Sequence, residues 1–374
     1  MTDALPDGAY AAALAGIEQM TLARLSALLR HHPPATAWSV VLGEVPARGP
    51  VAGVLADHQV RAAWLRSARE RDPATVWHEC RRLGIDVVAV GDDTYPDVLR
   101  NDPAPPPVMF FRGDRTLLDG RRVAIVGTRN ATASGRESAR AISRDVAAAG
   151  VHVVSGLARG IDGVAHGAVI AAEVPGRPIG VVGTGLDVVY PREHRDLWEA
   201  VANCGLLVSE VPPGTGPRPY RFPQRNRIIA ALAEVVVVVE SRERGGSLIT
   251  AAAALDRGIP VMAVPGSASS RAATGTNALL REGASPAVDA LDVLTRLSLE
   301  PPAELRADEI RRRPDHRDQE IYDCLRQSPR TIDGVALCCG MSLIEAAMGL
   351  ARLERDGWVA AVDGWFECIG SPLR

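Results

Sequence analysis

The chain has 374 residues, 47% hydrophobic and 23% charged, enough for two or three domains with substantial cores. All 42 basic side chains are arginine, which excludes lysine chemistry: no Schiff base, no pyridoxal enzyme, and no phosphate loop ending in Gly-Lys-Ser/Thr. Net charge is −3 overall but +4 over residues 121–290, which by itself proves no anionic partner but says where to look for one, and any anion held by a cation here is held by a planar guanidinium group.

Residues 1–85 read as a small helical domain. Leu14, Ile17, Leu22, Leu25, Leu28 and Leu29 recur at helical spacing, predicting helix over 5–30, and the pattern continues to about Leu83. Gly16-Ile17 and Met20-Thr21 admit a helix–hairpin–helix turn able to touch DNA, while the acidic balance of the segment favours a plain helical bundle. Val87–Val90 predicts a short strand, and Asp102–Pro107 is a proline-rich connector.

From Arg121 apolar runs alternate with helical stretches. Strands are predicted at Val123–Val126, Val151–Val154, Ile179–Val182, Leu206–Val208, Val235–Val239 and Val261–Val264. Helices are predicted at Ser134–Ala149, Ile161–Ala172, Arg192–Asn203, Gln224–Leu232, Ser247–Asp256 and Asn277–Arg281. Unbroken Val/Ile runs are strands buried on both faces. The class is therefore α/β, with a doubly wound, mostly parallel sheet over residues 86–298.

Residues 299–316 form a proline- and charge-rich linker. A last unit, 317–374, has predicted helices at Gln319–Gln327, Ile332–Cys338 and Ser342–Asp356. Strands Trp358–Val362 and Trp365–Ile369 flank the turn Asp363-Gly364, which completes a winged-helix pattern. Residues 315–370 hold five Arg against ten Asp and Glu, so this unit is expected to be an interaction or regulatory module rather than a duplex reader. The six cysteines form no CxxC pair and read as intracellular thiols, with a zinc site on Cys324, Cys338, Cys339 and Cys368 as the minor alternative. No apolar run is long enough to span a bilayer, and a cytoplasmic protein without membrane contact is expected.

In an open parallel sheet, ligands bind beyond the carboxyl ends of the strands. The first such loop, Gly127-Thr128-Arg129 through Ser134, is not a dinucleotide fingerprint, but it brings an arginine and a hydroxyl to a helix start, where amides and the dipole favour an anion. Ser134 reads equally as the N-cap. The second loop carries Ser155, Gly156, Arg159 and Gly160 before a helix, with Asp162 expected to cap it or fix an arginine, and His166 expected to be structural. The third holds Gly183 and Gly185. After the fourth strand come Arg218, Arg221, Arg225 and Arg227 with Tyr220 and Phe222 interleaved, a composition suited to phosphates and stacked bases of an unpaired strand; internal salt bridges are the other reading. Gly246-Ser247 and Gly275-Thr276-Asn277 open two more helices. Together these helix starts describe a phosphate-lined groove. No carboxylate cluster or nucleophile–His series accompanies them, so binding without catalysis, metal or cofactor is expected.

The blocks Ser155–Asp162 (SGLARGID) and Phe222–Ile229 (FPQRNRII), with Gly127-Thr128-Arg129, Tyr190-Pro191 and Gly246–Ala251, resemble the bacterial DNA-processing protein A (DprA/Smf) family over about 90–290. The resemblance implies an extended Rossmann-like domain that binds single-stranded DNA, a homodimer, and a recombination mediator that delivers incoming DNA to the RecA recombinase in natural transformation. It maps the family's arginine after the first strand onto Arg129 and its FPxRNR segment onto Phe222, Arg225, Asn226 and Arg227. His194 stands where the family often has Asn. The alternative is a nucleotide-binding Rossmann enzyme of the phosphoribohydrolase type, but Gly275-Thr276 is followed by Asn277 rather than by that family's Glu.

Overall fold

The computed structural model describes residues 5–300 and 314–369. Most of the expected linker, residues 301–313, lies outside the described residues. The sheet contains β1 (Asp86–Ala89), β2 (Val108–Gly113), β3 (Arg122–Val126), β4 (His152–Ser155), β5 (Pro178–Val181), β6 (Leu206–Ser209), β7 (Val235–Val238), β8 (Val261–Ala263) and β9 (Ser285–Pro286). Their spatial order is β1-β2-β6-β5-β4-β3-β7-β8-β9. From β6 to β9 all neighbours are parallel, whereas β2 runs antiparallel to β6 and β1 antiparallel to β2.

The apolar runs behave as their composition demands. Every residue of β3, β5, β6 and β7 is buried. Each buried Val or Ile contributes roughly 1.5–3 kcal/mol of apolar transfer. The sequence reading missed β2 and β9. β2 emerges directly from the proline-rich connector, which masks its Val-Met-Phe-Phe run, and β9 is only two residues long.

The winding places the ligand crevice. From β3 the chain steps through β4, β5 and β6 in one direction. It then returns to the other side of β3 and steps through β7, β8 and β9. Helices Ala133–Ala148 and Ile161–Ala171 bury Ile142, Val146, Ala165 and Val169 on one face of the sheet. Helices Arg221–Ala231 and Gly246–Leu255 bury Ile228, Ile229, Ala251 and Ala254 on the other. The loops leaving β3 and β7 therefore diverge at a topological switch point, where open α/β sheets bind ligands.

Six helices between Asp7 and Arg82 cover the antiparallel end of the sheet. The continuous helix expected over 5–30 breaks into Asp7–Ala15 and Leu22–His31, because the Thr21 hydroxyl caps the second by accepting from the Arg24 amide. Their apolar residues share one buried cluster with Val87, Val108 and Phe110. At the other terminus, helices His316–Gln327, Ile332–Cys339 and Leu343–Arg355 pack with the hairpin Val359–Val362 and Trp365–Cys368 around Ile321, Leu350 and Trp358. Ser342 and Glu345 form a capping box on the third helix. Asp363 and Gly364 make the hairpin turn with φ of 51° and 81°. No single described helix is long and apolar enough to cross a membrane.

Candidate nucleic-acid interface

Two adjoining cavities open over the β3/β7 switch point. One, of about 480 Å³, is lined by Gly127, Thr128 and Arg129 after β3 and by Arg242, Arg244 and Gly246 after β7. The other, of about 380 Å³, is lined by Arg129, Arg159, Tyr190 and Phe222. Arg129, Phe222 and Arg225 border both. The ring of Phe222 stacks on Tyr190 with centroids 5.1 Å apart and planes inclined by 30°. The Arg129 guanidinium stands over the same Phe222 ring at 5.2 Å. Arg129, Arg242 and Arg244 are exposed and make no ion pair among the described residues; Arg159 pairs with Glu193.

The loops are held together by backbone. The Thr128 amide donates to the Glu240 carbonyl at 2.8 Å, tying β3's loop to β7's. The Ile161 amide donates to the Thr128 carbonyl at 3.2 Å, tying in β4's loop. Gly160 makes this approach achievable. Its φ is +77°, and a Cβ there would lie 2.3 Å from the Thr128 carbonyl oxygen. Arg129 and Arg159 are thereby fixed on neighbouring rims.

Arg225 and Arg227 occupy different positions from those expected of phosphate ligands. Arg225 is 4% exposed, and its guanidinium donates to the carbonyls of Gly156, at 2.8 Å, and Val181. Burial pushes its pKa down to about 10, with the Asp162 carboxylate opposing the fall. Asp162, itself buried, accepts from the Gly156 amide at 3.1 Å; burial raises its pKa against the pull of Arg225. Gly156 lies between them, where a Cβ would sit 2.6 Å from Arg225 Nη2 and 2.7 Å from Asp162 Oδ2. Arg225 is thus a strut beneath the cavities. Arg227 pairs with the buried Glu210 and donates to the Ala104 carbonyl at 2.9 Å. The internal salt-bridge reading holds for Arg227. Phe222 and Asn226 remain on the cavity wall, with Asn226 Nδ2 donating to the Gly246 carbonyl at 3.2 Å.

Other expected site residues are dispersed. Arg221 turns toward a separate cavity against the N-terminal helices, which Gly183 also lines, and donates to the Gly216 carbonyl at 2.6 Å. Arg218 is exposed beyond both cavities. Ser155 is buried, its hydroxyl donating to the Ile125 carbonyl at 2.6 Å. Gly275, Thr276 and Asn277 lock the loop after β8. The Gly275 amide bonds the Ser241 carbonyl at 2.7 Å, the buried Thr276 hydroxyl donates to the Ala273 carbonyl, and Asn277 brackets Gly266. His166 is buried as expected, and burial lowers its pKa to about 4.

The helix starts also divide. Thr132, not Ser134, is the N-cap of helix Ala133–Ala148, accepting from the Gly135 amide at 3.0 Å. Glu240 already fills this start, accepting from the Thr132 amide at 2.9 Å and its hydroxyl at 2.8 Å. Glu367 of the C-terminal hairpin accepts from the Ala133 amide at 2.7 Å. Two carboxylates thus stand where a phosphate was expected, and Ser134 faces a cavity shared with the C-terminal unit. Helix Gly246–Leu255 differs. It has no side-chain cap and no acid in its first turn, and it opens on the cavity beside Arg242 and Arg244. The sequence reading overlooked both arginines because Glu243 lies between them and dilutes the local charge.

Residues 86–298 match the family model for DNA recombination-mediator protein A. The chain belongs to this family. It is 41% identical to the Bacillus subtilis DNA processing protein DprA over 252 residues, which are 66% of this chain and 84% of that protein. It is 34% identical to the Escherichia coli protein Smf over 290 residues, covering 75% and 76% of the two chains. The crystal structure of Streptococcus pneumoniae DprA superposes with a TM-score of 0.64 at 31% identity, covering 78% of this chain and 98% of that one. The Helicobacter pylori DNA processing protein A, whose structure addresses its single-stranded DNA binding mode, superposes with a TM-score of 0.52 at 27% identity, covering 57% and 95%. The parallel α/β sheet read from the strand pattern, and the Rossmann-like architecture that the resemblance implied, are those of the family's solved structures.

Proposed function

We propose that this chain binds single-stranded DNA without sequence preference in the crevice over the β3/β7 switch point. It acts there as a cytoplasmic homodimer that delivers the strand to RecA recombinase during recombination or DNA uptake, without catalysing a reaction itself. Membership of the mediator family and the Helicobacter pylori relative's single-stranded DNA binding support this reading. The observation that carries it is the Arg129–Phe222–Tyr190 stack, flanked by Arg159 on one side and by Arg242 and Arg244 on the other. Aromatic faces accept any base, and guanidinium groups accept phosphate regardless of sequence. The amides at the start of helix Gly246–Leu255 add an anion site on the same wall.

A fluorescence-anisotropy titration with oligo-dT, duplex DNA and mononucleotides at two salt concentrations tests the proposal. Oligo-dT should bind most tightly and weaken as salt rises. Equal affinity for duplex and single strand, or binding of mononucleotides alone, would reject it.

A further inference from the structure

The C-terminal unit holds a cluster that the DNA-binding reading does not use. Cys324 lies buried on helix His316–Gln327. Cys338 and Cys339 are the last two residues of helix Ile332–Cys339, which Gly340 terminates in the left-handed conformation with φ of 63°. All three are free thiols, Cys338 exposed and Cys339 half-buried, and their Sγ atoms lie within 4.8 Å of one another. Cys368, the fourth member of the sequence-level alternative, is not in the group. It turns to the Tyr322 carbonyl at 3.6 Å.

We infer that Cys324, Cys338 and Cys339 form a thiolate site for a thiophilic d10 cation: three-coordinate copper(I), or zinc(II) completed by water on the exposed Cys338 side. Metal–sulfur bonds of about 2.3 Å place the sulfurs of such a site roughly 4 Å apart, so closure requires only a small movement of side chains. Three sulfurs without imidazole or carboxylate in the group select soft cations over hard ones. Without a cation, burial favours the neutral thiol at Cys324 and Cys339. Burial and its two neighbours push Cys324 up to about 12, and burial likewise raises Cys339. A bound cation inverts that balance. Each coordinating thiol loses its proton to solvent as its metal–sulfur bond forms, and no electron is transferred. The cation would join the first two helices of this unit, which already share apolar packing and the Cys339 thiol's hydrogen bond to the Glu320 carbonyl at 3.7 Å.

The test uses the full-length chain, reduced and metal-free. Cobalt(II), as the spectroscopic probe for zinc, is followed by thiolate-to-metal charge-transfer absorption; copper(I) is followed by competition with a coloured chelator. One cation per chain is expected. It should be lost in Cys338→Ser and in Cys324→Ser but kept in Cys80→Ser, and it should raise the thermal midpoint of the wild-type chain alone. Because Cys338 is exposed, its serine variant leaves the apolar core intact, so loss of binding there reports ligation. Copper(I) binding without cobalt(II) binding assigns the three-coordinate form; binding of both assigns the water-completed form. No bound cation of either kind, or stoichiometry unchanged in both Cys338→Ser and Cys339→Ser, overturns the inference.

Discussion

The guanidinium of Arg129 lies 5.2 Å from the centroid of the Phe222 ring, although Arg129 leads into a helix packed on one face of the sheet and Phe222 opens a helix packed on the other. The strand end after β3 supplies the charge, and the start of helix Arg221–Ala231 supplies the ring. Tyr190 stacks on the same ring, so both rings and the cation line one cavity. A base entering this cavity meets a stacking surface and a phosphate ligand together.

Replacing Phe222 by leucine retains bulk but removes the aromatic face. Loss of one base–aromatic stack weakens binding by about 1–3 kcal/mol. Titration of oligo-dT should therefore show reduced affinity with an unchanged salt slope, because no charge has been removed. Wild-type affinity in Phe222→Leu would show that the stack is not part of the binding surface.

Arg225 should behave as a structural residue. Arg225→Met leaves Asp162 buried without its opposing charge and leaves two carbonyls without their donor. Each buried polar group left unsatisfied in this way costs about 1–3 kcal/mol. A large fall in the denaturation midpoint is expected, and a wild-type midpoint combined with lost DNA binding would return Arg225 to the phosphate-contacting set.

His166 should make stability pH-dependent. Its folded value, about 4, lies below the ordinary 6.5, so the unfolded chain takes up the proton first as pH falls. Stability from this group is therefore complete above about pH 6.5 and is lost as pH falls toward 4, by on the order of 3 kcal/mol. Urea denaturation at pH 7 and pH 4.5 should show a larger acid loss for the wild type than for His166→Leu. Equal losses would contradict the assignment.

The sheet was legible because valine runs such as Val235–Val238 admit little besides a doubly buried strand. The strand-end rule then located the crevice, and Arg129, Arg159 and Phe222 were found there. The arginines of the FPQRNRII block could not be sorted in the same way. Sequence density shows that guanidinium groups are close in the chain, but it does not show that Gly156, Val181 and Glu210 meet two of them from other elements. Glu240 illustrates the same limit. A helix start attracts an anion, and only the fold shows that the chain's own carboxylate already occupies it. Arg242 and Arg244 were hidden because the intervening Glu243 offsets their charge in the sequence.

The salt dependence of single-strand affinity in charge-removed variants tests the central claim most directly. For oligo-dT, log affinity against log salt should fall linearly, and Arg129→Ala and Arg244→Ala should each make the slope shallower by about 0.7 while weakening binding at low salt. Slopes and affinities in both variants identical to the wild type would place the polynucleotide elsewhere on the molecule.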